Sequence, residues 1–210
     1  MTDPSTELSA LGDRLVAQAQ PRFRDFRVDF ERISTAASRA VREDEGSLDL
    51  ARALFLDVDW ALRLPLQRRY AAEQAWEPLL RYHTTRVRRQ WSTEPWPDEA
   101  ASDVLDLFAA GGRADLGLEL VRAYVDVMLK RLRKDLSKRN PRGPGPQYDE
   151  GTRRVLSTMD AAVAAAIPDR KRELLRDLDS VAPWVVANGA DEDREWLDSV
   201  RREVWMERRA

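Results

Sequence analysis

The chain has a single histidine, His83, within "PLLRYHTTRVRRQW". An imidazole is the side chain best suited to proton transfer or metal ligation near neutral pH, so its neighbours decide whether it can do either. On a helical wheel His83 falls in the middle of a stripe formed by Leu79, Leu80, Val87 and Trp91. A metal site or an acid–base pair needs carboxylates one helical turn away, at i±3 or i±4. Those positions hold Leu79, Leu80, Arg86 and Val87, and the Glu-x-x-His pattern of di-iron bundles is missing. The expectation is a histidine packed into the core with its nitrogens satisfied locally, and no metal built on it.

Carboxylates are the next candidates. Glu99, Asp103 and Asp106 stand at i, i+4 and i+7 of one predicted helix, and Asp57 with Asp59 makes a second acidic pair. Side chains so spaced can share a divalent ion or divide acid and base roles. Acids near a helix start are also what the helix dipole favours. The preferred reading is a solvated acidic surface, with Glu99, Asp103 and Asp106 the candidates for an acidic docking face. Other chemistry lacks its residues. There is no cysteine, which removes disulfides, thiolate ligands and thiol nucleophiles together. Gly111 and Gly112 stand alone, and "PRGPGP" has neither the lysine nor the helix start of a phosphate loop. No serine sits on a nucleophile elbow. No cofactor is implied.

Positive charge gathers in two places. Lys130, Arg131, Arg133, Lys134, Lys138, Arg139 and Arg142 crowd the end of a long predicted helix, opposite the face that carries Leu132 and Leu136. Cations there are favoured by roughly 0.3–1 kcal/mol each by the dipole. The like-charged i,i+4 pairs Lys130–Lys134 and Lys134–Lys138 give back roughly 0.2–0.5 kcal/mol each. Helix stability alone is a modest reason for such density. Arg81, Arg88 and Arg89 form a smaller group, on a helix near Trp76, Trp91 and Trp96. Arginines among aromatics can grip single-stranded nucleic acid through charge and stacking. More often the rings pin helices together while the arginine stems cover them.

The elements that must position these groups are all helical. Apolar residues recur at spacings of three and four nearly throughout, with no strand-like alternation. Leu8, Leu11 and Leu15 line one helix; Phe23, Phe26, Phe30, Ile33 and Ala37 line the next; Ala51, Leu54, Phe55, Val58 and Leu62 a third. Pro65 and Pro78 are expected to kink or divide the helical stretch between residues 62 and 91. Gly111 and Gly112 stop a short helix, and a long one from about Ala114 to Arg139 turns Val121, Val125, Met128, Leu132 and Leu136 inward. Three more helices are expected, at 152–166, 168–181 and 191–208. The fold class is all-α: an irregular multi-helix bundle or stack of roughly eight to ten helices with no sheet. Residues 1–139 read as a main bundle, 140–151 as a proline- and glycine-rich linker, and 152–210 as a C-terminal portion able to pack on the first as one domain.

A chain of 210 residues with 43% apolar and 34% charged side chains builds a core under an ionic surface. Its net charge of −2 gives no overall pull toward polyanions. The longest apolar run, Ala161 to Ile167, is far short of a membrane span, and the acidic start is unlike a secretory signal. The expected setting is the cytoplasm, away from membranes. The sequence therefore points to a non-enzymatic helical interaction protein, an adaptor or subunit docking on another protein or a second copy of itself through charged patches. The alternative is a nucleic-acid-binding subunit contacting phosphates through the clusters at 81–89 and 130–142.

Overall fold

A computed structural model describes residues 4–43, 48–89, 96–138 and 147–206 of the chain. Among the described residues the regular structure is wholly helical, in eight helices: α1 (Pro4–Ala19), α2 (Phe26–Glu43), α3 (Leu48–Ala72), α4 (Trp76–Arg89), α5 (Glu99–Ala110), α6 (Ala114–Lys138), α7 (Glu150–Asn188) and α8 (Asp191–Met206). The chain forms two compact units, Met1–Arg86 with Asp98–Leu120, and Val87–Pro97 with Val121–Ala210. Two of the boundaries fall within α4 and α6, and the third just ahead of α5. Of the proline- and glycine-rich stretch 140–151, residues 140–146 lie outside those described.

In the first unit α1 and α2 pack on α3, and α3 on α5. Leu8 and Val16 of α1, Phe26, Ile33 and Ala37 of α2, and Leu62, Leu66 and Tyr70 of α3 are buried together with Val104, Leu105 and Phe108 of α5. The phenylalanine spacing read from the sequence thus marks a core face. Phe23 stands just ahead of α2 with φ 55°, and its ring meets Tyr70 edge-on at 5.2 Å. Asp98 caps α5 by accepting from the Ala101 N–H at 2.8 Å, and the Gly111 N–H closes the other end on the Leu107 carbonyl at 2.9 Å.

The second unit is built on the C-terminal part of α6 and on α7 and α8. Val121, Val125, Leu129 and Leu132 of α6 are buried, as are Leu174, Leu178, Val181 and Val185 of α7 and Leu197, Val200 and Val204 of α8. Asp149 caps α7, accepting from the Thr152 N–H at 2.9 Å.

The prolines differ from expectation. Pro65 lies inside α3 and Pro168 and Pro183 inside α7, so the predicted helices 152–166 and 168–181 are one continuous helix. Pro78 stands in the first turn of α4, where its missing N–H costs nothing. Pro168 and Pro183 are exposed. At an exposed position the helix can bend away from the proline ring. The break before α4 falls instead at Glu73–Ala75, where Gln74 takes φ 56°.

Candidate interaction surfaces

His83 is buried, 2% exposed, and its Nε2 lies 2.8 Å from Gln67 Oε1. The Gln67 amide nitrogen donates to Asp103 Oδ2 at 2.9 Å and to the Ala100 carbonyl at 3.2 Å. That fixes the amide, leaves its oxygen facing the imidazole, and assigns the proton to Nε2. Burial first, and the nearby Arg63 and Arg86 charges second, lower the His83 pKa to about 3. The ring is therefore neutral at any working pH and ties α3, α4 and α5 together. Among the described residues no group of three or more His, Cys, Asp or Glu side chains is placed to hold a metal ion.

The acidic candidates on α5 separate. Asp103 is turned toward α3, where Gln67 and the Arg68 guanidinium, 3.3 Å from its Oδ1, take its oxygens. Glu99 and Asp106 are exposed. The side chains of Asp57 and Asp59 lie outside the described residues.

Among the basic candidates Arg81, Arg88, Arg89 and Lys130 are exposed. Arg131 is half-buried, with a guanidinium nitrogen 3.9 Å from Met128 sulfur. Arg133 binds the Glu203 carboxylate of α8 at 2.5 Å. Lys134 is exposed and engaged within the chain. The side chain of Lys138, with Arg139 and Arg142, lies outside the described residues. Two aromatic residues near these clusters are spent on packing: Trp76 meets Phe108 at 5.9 Å, and buried Trp96 stacks on Tyr124 at 4.1 Å. Trp91 lies outside the described residues.

Each unit also holds a buried carboxylate that the sequence reading did not single out. Asp29, 2% exposed, accepts the Tyr70 hydroxyl at 2.6 Å and the N–H groups of Arg22 and Phe23 at 2.9 and 3.2 Å, with Arg32 3.4 Å away. In the second unit Asp177, also 2% exposed, accepts the Tyr124 hydroxyl and the Arg176 guanidinium. Burial, then the bonded aspartate, pushes both phenols well above the ordinary tyrosine range, so both remain donors. A third aspartate, Asp193, accepts Arg122 at 2.7 Å and the Ala190 N–H at 2.9 Å, while Arg122 also covers the Trp196 ring at 5.4 Å. These contacts tie α2 to α3, α6 to α7 and α6 to α8.

The first part of α7 is thinly covered. From Glu150 to Ala166 no residue is fully buried, though Leu156, Asp160, Val163, Ala164 and Ala166 are half-buried, and full burial begins at Ile167. Val155 is 59% and Met159 60% exposed. Thr152, Leu156, Met159, Val163 and Ala166 recur at spacings of four and three, with Arg153, Arg154 and Asp160 beside them. That pattern was legible in the sequence; the predicted break at Pro168 concealed that it belongs to a 39-residue helix anchored by its C-terminal half. Among the described residues no helix is long and apolar enough to cross a membrane. Compared with models of known protein families, with curated proteins and with solved structures, the chain matches none.

Proposed function

We propose that the protein works by holding another protein chain, as an adaptor or subunit of a larger assembly, and that the 150–166 arm of α7 is its principal contact. The observation that carries this reading is the exposure of Val155 and Met159 on a helix whose continuation is firmly packed. Apolar side chains lose roughly 25 cal/mol per Å² when left in water, so a seam of them on one helix face is stabilised by a partner that covers it. A helical stretch with no fully buried residue is marginal by itself, and packing of an amphipathic face is what normally sustains one. Lys130, exposed in the same unit, adds a charge that a partner's rim can use.

The test is the mass of the tagged chain recovered gently from its native cell. An assembly heavier than the 24.1 kDa chain is expected. A strict monomer, with nothing retained, contradicts the reading.

A further inference from the structure

We infer that the α7 arm pairs antiparallel with the same arm of a second copy of this chain; this rests on the interaction reading above and names its partner. Thr152, Leu156, Met159, Val163 and Ala166 follow the 4-3-4-3 spacing of a helix–helix seam. Val155 and Met159 are largely exposed, whereas Leu156, Val163 and Ala166 are half-buried. Consider two arms related by a twofold axis crossing between Ser157 and Thr158. Met159 of one then lies over Leu156 of the other, and Thr152 over Val163. Each such layer occurs twice, as a symmetric dimer requires.

The flanks decide the orientation. On one side of the seam stand Arg153 and Asp160; on the other stand Val155 and Ala162. In the antiparallel register Arg153 of each copy faces Asp160 of the other, giving two ion pairs, and Val155 faces the small Ala162. A parallel register sets Val155 beside Asp160 and pairs no opposite charges. Within the chain neither Arg153 nor Asp160 has an ion-pair partner among the described residues, whereas Arg172, Arg176 and Arg201 farther along α7 and α8 each have one. Arg153 and Asp160 are thus complementary to each other across a twofold axis and are seven residues apart along one helix, beyond reach of each other within it.

Sedimentation velocity of the purified full chain across the micromolar range tests this. The expected species has twice the 24.1 kDa chain mass, and Met159→Glu shifts it to monomer. Arg153→Asp or Asp160→Arg alone weakens the dimer about tenfold by placing like charges face to face at both symmetric positions. The double variant carrying both reversals restores it, which a merely structural role for either residue does not predict. Because the chain has no cysteine, Thr152→Cys combined with Val163→Cys should yield an intermolecular disulfide, while Thr152→Cys alone should not. A monomeric wild type, or a dimer indifferent to Met159→Glu and the charge reversals, overturns the second copy as partner. If that monomer is nonetheless found in a heavier assembly in native extract, the interaction reading stands with a different partner. If it is monomeric in extract too, both fail.

Discussion

Gly12 of α1 lies against the carbonyl of Ala61 in α3 so closely that a methyl group in its place would come within 1.8 Å of the oxygen. That carbonyl is the one Pro65, four residues on, has no N–H to bond. Proline and glycine thus act as a pair. The proline frees an acceptor inside a helix, and the glycine lets a second backbone close over it, where Cα–H contacts supply weak compensation. Gly12→Ala should destabilise the protein by about 2 kcal/mol or more, since the obstacle is backbone and α1 must move off α3. A denaturant titration showing a change under about 0.5 kcal/mol would mean that α1 does not lie against the Ala61 carbonyl.

The Tyr70–Asp29 and Tyr124–Asp177 bonds make a matched pair of tests, one in each unit. Tyr70→Phe leaves a buried carboxylate short of one donor and should cost about 1–3 kcal/mol, as should Tyr124→Phe. Asp29→Ala removes the acceptor of three donors and should cost more. Thermal unfolding of the three variants checks the order.

His83 supplies a pH prediction. Its folded pKa, lowered to about 3, lies below the unfolded value near 6.5, so the unfolded chain binds the extra proton between those limits. Stability linked to this residue is therefore fully present above about pH 6.5 and lost as pH falls toward 3, by up to about 1.4 kcal/mol per pH unit. In His83→Leu this part of the slope should vanish, and the difference between the two chains' unfolding free energies over pH 4–8 isolates it from the carboxylates. Parallel curves would show that the ring is accessible and can charge in place.

Pro168 stands exposed in the interior of α7. Replacing it with Ala restores one helical hydrogen bond and relieves the ring's contact with the preceding turn, at the cost of a looser unfolded chain. The net expectation for Pro168→Ala is a gain of about 1–2 kcal/mol, read as a higher melting temperature with unchanged helix content.

The all-helical class and much of the core were legible because spacings of three and four survive in Phe26, Ile33 and Ala37, and in Val121, Val125 and Leu132. What the sequence hid was tertiary. Pro168 looks like a helix end, yet its exposure lets α7 run through it. Asp103 looks like surface acid, yet Gln67 and Arg68 draw it against α3. Asp29 and Asp177 carry no local signature, since their tyrosine partners lie 41 and 53 residues away. His83 was readable as core from its apolar wheel neighbours, but its link to Gln67 was not.

The 150–166 arm leaves Val155 and Met159 exposed in the isolated chain, and a partner covers them when the protein does its work. Amide hydrogen exchange measures that cover residue by residue. In the native assembly, amides of 150–166 should exchange markedly more slowly than in a dilute Met159→Glu chain, while those of 171–185, already packed, should be unchanged between the two. Equal exchange along the arm in both samples would contradict the account.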